Sequence, residues 1–375
     1  MIAQPIALMG HSASGAATLA GRLFFFDNLR VVAMALVIMQ HVGQVYGPTG
    51  GVWILPTQTE TAFILDPFFT VNRSFGMSLF FMIAGYFAVL ACDRKGPAPF
   101  LKDRALRLGI PLLGWAVFMA LVQMFLMPTP ATGNVLGIPW PVEVAHMWFV
   151  QHLLIFCAVY AVARMLLPAR PAPARDRRVP PGWAIVLFTL GLAFASALVR
   201  IWFDMDEWVY ILGVIKLQPF DLPRDLTLFV VGMLAARRDW VMRFPTRSGR
   251  IWLGIGVALA AAWYAFRLAL PGGVDGDERL VGGLFTLWES FLCVGMCIGL
   301  VVLFRDLWNW QKPLTKNAAQ AQYATYVFHI GVVLLFQWLA MPLASPPLVK
   351  FLLVSLFAVP VSFLVGYAVR KPLRM

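Results

Sequence analysis

Ten apolar runs, each long enough or nearly long enough to cross a lipid bilayer, divide this sequence almost from end to end. They lie near 24–46, 72–92, 108–127, 146–167, 182–203, 221–236, 250–270, 281–304, 321–341 and 348–369. A spanning helix needs roughly 20 mostly apolar residues. Lipid offers no partner to an unpaired backbone, so such a chain has few folds open to it. The prediction is an all-α, polytopic integral membrane bundle of about ten transmembrane helices. The sixth run is the weakest: its apolar part, 226–236, is short, and Pro219 and Pro223 interrupt what precedes it. A tilted, broken or partly re-entrant path is expected there.

The loops between the runs test this layout independently. Basic residues crowd every second connection: 93–107, 164–178 and 237–250, then Arg305, Lys312 and Lys316, and finally Arg370, Lys371 and Arg374. The other connections lean acidic, with Glu60 and Asp66, Glu143, Asp204, Asp206 and Glu207, and Asp275, Asp277 and Glu278. Cytoplasmic loops carry the excess of Lys and Arg, so the alternation puts both termini in the cytoplasm. It also requires the sixth span, without which 204–221 and 237–250 would fall on one side.

Composition agrees. Hydrophobic residues make up 60% of the chain and charged ones 13%, against about 45–50% and about 25% in soluble domains. The formal net charge of +12 raises nucleic acid as a partner, but the basic residues sit between apolar runs. An anionic leaflet is the partner they suit, and no nucleic acid is expected. Residues 1–22 read as a short cytoplasmic tail, 23–370 as one membrane domain and 371–375 as a second tail. No basic segment precedes an apolar core at the N-terminus, so no cleavable signal is expected and the first span would direct insertion. The Pro- and Arg-rich stretch 168–181 reads as a connector. Cys92, Cys157, Cys293 and Cys297 lie inside apolar runs and read as packing residues, and no metal site is expected. The loops leave no room for a soluble catalytic domain, so any chemistry must be built within the bundle.

Ionisable residues at membrane depth are costly and mark candidate sites. The first run is the richest. From Arg30 to His41 is eleven residues, about 20° beyond three helical turns, so both share a face roughly 16 Å apart along the axis. Asp27 and Gln44 border the same stripe. The plain alternative makes Asp27 and Arg30 interfacial anchors and His41 a packing residue. His41, His152 and Glu289 all fall in the outer half of the bundle by their distance from the run ends. Glu289 is a candidate catalytic acid, or else a carboxylate paired with Arg200 or Arg267. His146 reads as an interfacial residue, and His329 as lying nearer the cytoplasm. Arg104 and Arg107, three apart, would face the same way. Together they could clamp a phosphate, or serve only to set topology. Trp53, Trp140, Trp148, Trp202 and Trp208 suit an outer aromatic belt, some of them able to stack on a sugar. Phosphate loops, zinc-binding helix motifs and serine elbows are absent from the sequence, which argues against pumps, metalloproteases and serine hydrolases.

These residues resemble membrane-bound acyltransferase family three. That family opens with L-D-x-L-R, ten residues and a histidine; here Asp27, Leu29, Arg30 and His41 fall in register, with Phe26 for the first leucine. Phe80-Phe81-Met82-Ile83-Ala84-Gly85-Tyr86 resembles its F-F-x-x-S-G-Y, with Ala84 in place of the serine. Arg104 and Arg107 match an R-x-x-R pair. His146 to Val150 resembles H-L-W-F-L, Phe229 to Leu234 resembles F-x-x-G-M-L, and Tyr323 to His329 resembles S-Y-x-x-Y-L-x-H. The likeness runs from about 24 to 369. Some members carry a C-terminal hydrolase-like domain, which is not expected here.

The resemblance implies a bacterial inner-membrane O-acyltransferase. Its donor would be acyl-CoA, acetyl-CoA or succinyl-CoA, arriving as a co-substrate from the cytoplasm, with no permanently bound cofactor. Its acceptor would be a hydroxyl on an envelope glycan or lipid-linked sugar. Arg30, Arg104 and Arg107 would hold the donor and His41 would be the catalytic base, or carry the acyl group transiently. Glu289 would orient His41, and Asp27, Trp148 and His152 would contact substrate. The alternative is a proton-coupled secondary transporter or flippase using Asp27, Arg30, His41 and Glu289.

Overall fold

The structure, a computed structural model, describes residues 23–48, 60–126, 134–135, 138–139, 143–167, 178–205, 207–270 and 278–370. Both tails beyond 22 and 370, Trp53, Trp140 and most of the 168–181 connector lie outside these residues. The described chain is almost wholly helical. In order it forms α1 (Phe24–Gly43), α2 (Leu65–Lys95), α3 (Pro97–Arg104), a π-helical turn (Ala105–Gly109) and α4 (Ile110–Leu126). Next come α5 (Trp148–Leu166), α6 (Gly182–Val199), α7 (Leu222–Arg238) and the short α8 (Trp240–Arg243). The chain closes with α9 (Thr246–Ala269), α10 (Glu278–Leu307), α11 (Pro313–Ala340) and α12 (Pro347–Val369). Among the described residues, nine helical stretches are long and apolar enough to cross a membrane. The sixth predicted span is α7, 17 residues long. Pro223 falls in its first turn, where a proline costs no hydrogen bond, so it starts the helix rather than breaking it.

The buried and exposed faces are those of a lipid-facing bundle. Leu113, Val117 and Phe118 of α4, Leu187 and Phe194 of α6, and Leu352, Leu356 and Leu364 of α12 point outward. In water such a surface would be a liability; in hydrocarbon it costs nothing. α1, α2, α10 and α11 form the buried centre. Close helix contact depends on small residues. Gly85 of α2 and Gly232 of α7 face each other, and a Cβ on either would run into the opposite backbone at Phe229 or Met82. Both glycines belong to the motifs quoted above, which here hold two backbones together.

Two short hairpins occur among the described residues: β1 (Asn134–Val135) with β2 (Ile138–Pro139), and β3 (Val209–Ile211) with β4 (Ile215–Leu217). The second packs against the start of α5. Its free edge needs partners, and α5 provides them. Gln151 Nε2 donates to the Val214 carbonyl at 2.7 Å, and the Lys216 N–H donates to Gln151 Oε1 at 2.9 Å. His152 Nε2 donates to the Lys216 carbonyl at 3.0 Å.

Candidate active site

The three histidines that the sequence scatters over 288 positions come together in space. His41 ends α1, His146 lies in a 3₁₀ turn (Ala145–Met147) before α5, and His329 sits midway along α11. Ring centroids of His41 and His329 are 5.2 Å apart, and those of His146 and His329 are 5.1 Å apart. Each ring is held by one nitrogen. His41 Nδ1 meets Gln44 Oε1 at 3.0 Å. His146 Nε2 donates to the Val327 carbonyl at 3.3 Å, and His329 Nδ1 to the Tyr326 carbonyl at 2.7 Å. A carbonyl oxygen only accepts, so these contacts fix the tautomers. Gln337 of α11 donates to the carbonyls of His41 and Val42 at 3.1 and 3.0 Å, pinning the end of α1 against α11. The Tyr326 hydroxyl donates to the His146 carbonyl.

This corrects three expectations. His146 is not an interfacial residue: it is buried, edge-on to Trp115 at 4.7 Å. His329 is not set apart near the cytoplasm but packs on His41. The orienting partner of His41 is Gln44, its neighbour on the helix stripe, and not Glu289.

Glu289 belongs to a second buried polar cluster. One carboxylate oxygen pairs with Arg224 and the other with Arg200. Arg224 also reaches Asp221 at 3.0 Å and Ser78 Oγ at 3.0 Å, and Ser78 Oγ donates to Asp225 at 2.6 Å. Arg73 Nε donates to Asp221 at 3.2 Å, and Arg200 donates to Thr286 Oγ1 at 2.9 Å. Both carboxylate oxygens of Glu289 are thus engaged by guanidinium groups, in a cluster built from other residues than the histidines. Pairing with Arg200 was one of the alternatives that the sequence left open. Arg224 and Asp225 went unremarked in the sequence, although they are the reason the sixth run looks weak: charge in the first turn of α7 lowers its hydropathy.

On the basic side a cavity of about 1480 Å³ opens between α4 and the bundle. Arg30, Arg104 and Arg107 line it, and its apolar wall includes Phe80, Phe87, Phe118 and Leu334. Its lining also includes Trp115 and Tyr326, both packed on His146. Arg30 pairs with buried Asp27 and lies over the Phe87 ring at 5.5 Å. Arg104 and Arg107 both border this cavity, and a π turn (Ala105–Gly109) follows Arg104. The π turn inserts an extra residue per turn, and such turns often mark functional sites. Arg107 swings outward, 66% exposed, and pairs with Asp103 at 3.0 Å, whereas Arg104 lies over Phe100 at 5.3 Å.

Trp148 is half-buried, edge-on to His152 at 5.3 Å and to Trp208 at 5.8 Å. His152 is buried and spends one nitrogen on the hairpin edge. Glu143 ties the hairpin to the His146 turn. Its carboxylate accepts from Lys216 Nζ and the Tyr210 hydroxyl, each at 2.6 Å, and from the Ala145 N–H at 2.5 Å. Burial alone would raise the Glu143 carboxyl. The Lys216 ammonium and these hydrogen bonds outweigh it and hold the group below the usual carboxylate range. Ala145 has φ +46°, a left-handed conformation that a non-glycine residue adopts only when its surroundings hold it.

A family described as an acyltransferase domain, the third of that name, matches residues 23–367. The glucans biosynthesis protein C of Salmonella gallinarum is 25% identical over 366 residues, covering 92% of this chain and 91% of that protein. The protein of the same name from Salmonella enteritidis is 25% identical over 368 residues, with the same coverage.

Proposed function

Since the chain belongs to acyltransferase family three and is a membrane acyltransferase, we propose that it moves an acyl group from cytoplasmic acyl-CoA to a hydroxyl of an extracytoplasmic glycan or lipid-linked sugar. Its home on this reading is a bacterial inner membrane. The name of the Salmonella relatives supports a glucan or similar glycan as acceptor. The observation that carries the proposal is one cavity lined both by Arg30, Arg104 and Arg107 and by Trp115 and Tyr326, which pack on the histidine cluster.

The donor enters from the basic side. Arg104 and Arg107 meet its phosphates, where guanidinium groups offer charge and paired donors. Arg30 holds it deeper, and the apolar wall guides the acyl arm toward Tyr326. The acceptor comes from the outer side. With Nδ1–H held by Gln44, His41 presents Nε2 as the basic nitrogen. That nitrogen takes the acceptor's hydroxyl proton as the oxygen attacks the thioester carbonyl. The carbon–sulfur bond then breaks, and the departing thiolate takes the proton back from the imidazolium. Products are an ester and free CoA.

The test is direct. Purified protein in nanodiscs is incubated with radiolabelled acetyl-CoA and, separately, succinyl-CoA. Saturable binding of either, with slow thioester cleavage that a glucan fraction accelerates, is the expected result. Absence of binding to both would overturn the acyl-CoA donor.

A further inference from the structure

Of the ring nitrogens in the histidine cluster, two are accounted for by nothing in the protein. His146 Nδ1 and His329 Nε2 are buried and have no hydrogen-bond partner among the described residues. Their rings are 7% and 0% exposed. The tautomers fixed by the Val327 and Tyr326 carbonyls make both nitrogens lone-pair acceptors. Leaving a buried acceptor unserved costs about 1–3 kcal/mol, so two side by side call for a ligand with donors.

We infer that His146 and His329 form the recognition half of the acceptor site, which takes two hydroxyls on adjacent carbons of one sugar ring. This rests on the acyltransfer reading above. His41 takes the proton of the reacting hydroxyl, and His329 Nε2 and His146 Nδ1 share a bifurcated hydrogen bond from its neighbour. The chemistry selects the ligand class. Carboxylate and phosphate oxygens only accept, and would leave both nitrogens unserved. Hydroxyls donate. Centroid spacings of 5.2 and 5.1 Å bring all three rings within reach of one small polyol. The binding nitrogens stay bound to the sugar while His41 alone exchanges the proton, so the ester-forming step keeps its balance.

The experiment uses full-length protein in nanodiscs and two readouts. In the first, [¹⁵N]histidine-labelled protein, with only five imidazoles in the chain, is titrated with methyl β-glucoside without donor. The His146 Nδ1 and His329 Nε2 resonances should move, and ethanol at equal hydroxyl concentration should not move them. No movement with the glucoside overturns the proposal whether or not the enzyme turns over. In the second, acyl transfer to methyl β-glucoside is compared with transfer to its monodeoxy derivatives. Removing the hydroxyl next to the reacting one should raise KM at least about tenfold. In His329→Ala or His146→Ala that penalty should shrink, as a double-mutant cycle demands. His329→Gln replaces the alanine variant if the latter does not fold. A penalty unchanged in both variants sinks the inference and leaves the acyltransfer reading intact. Loss of transfer to every acceptor by the wild type, with the resonances still moving, counts against that reading alone.

Discussion

Two buried polar clusters lie within this bundle, and they are built in opposite ways. The Arg–carboxylate cluster joins α2, α6, α7 and α10, and its guanidinium groups and carboxylates interlock with one another. The histidine cluster joins α1, α11 and the turn before α5, and it keeps ring nitrogens out of every protein contact. Mutual pairing of charges suits a brace: removing a partner leaves a charge stranded in a dry interior. Incompleteness suits a site, because the missing partner is the substrate. Buried charge alone, the criterion that singles out Glu289 in the sequence, does not separate the two. What separates them is whether the charged groups are paired with one another.

Breaking the site should abolish chemistry and spare the fold. His41→Ala is expected to lower the transfer rate by about 10²–10⁴-fold, the usual contribution of a positioned base. Thermal unfolding of the detergent-solubilised protein should hardly shift. Full activity in this variant would remove His41 from the mechanism.

Breaking the brace should do the reverse. Arg224→Met strands Glu289, Asp221 and Asp225 with fewer cations, and loss of one partner from a buried ion pair costs about 3–5 kcal/mol. The expected signs are a large drop in melting temperature and in membrane yield. The protein that remains folded should keep a KM close to wild type. A selective loss of kcat at unchanged stability would instead make the cluster part of the reaction.

The same contrast explains what the sequence made legible. Span positions and the alternation of loop charge follow from composition that accumulates over some twenty residues, so they survive local irregularity. The stripe from Arg30 to His41 is legible too, since one helix fixes it. Convergence of His146 and His329 on His41 depends on how three separate helices pack, and no periodicity within one of them encodes that. The π turn at Ala105–Gly109 carries no composition signal, so the different exposure of Arg104 and Arg107 is not legible in the sequence. Gln44 was visible on the stripe of His41, but depth alone pointed to Glu289 as its orienting partner.

The donor end sharpens the comparison at smaller scale. Arg104 has a half-buried guanidinium with no carboxylate within ion-pair distance among the described residues, and Arg107 is paired with Asp103 and mostly exposed. Arg104→Ala should therefore raise KM for acyl-CoA about tenfold, roughly the 1.4 kcal/mol of one modest charge-assisted contact. Arg107→Ala should raise it less, since exposed pairs are screened. Equal effects would restore the symmetrical clamp that α-helical spacing implies.

The smallest expected effect tests the link between the hairpin and the site. Glu143 holds the left-handed Ala145 turn that aims His146, and it does so as a carboxylate. Its proton affinity is lowered in the folded protein, so the contribution to stability is fully present above the ordinary value of 4.5. It is lost as the pH falls below that value, through the lowered one. Glu143→Gln keeps one acceptor oxygen but drops the charge that Lys216 and Tyr210 bind. The expected cost is about 1 kcal/mol at neutral pH, the scale of a partly exposed hydrogen-bonded contact. Hydrogen exchange at Ala145 to Met147 should quicken, and the acid-side loss of stability expected of the wild type should flatten, because glutamine does not titrate. If exchange in that turn is unaffected at either pH, the hairpin does not hold His146 in place, and the cluster's geometry must come from α1 and α11 alone.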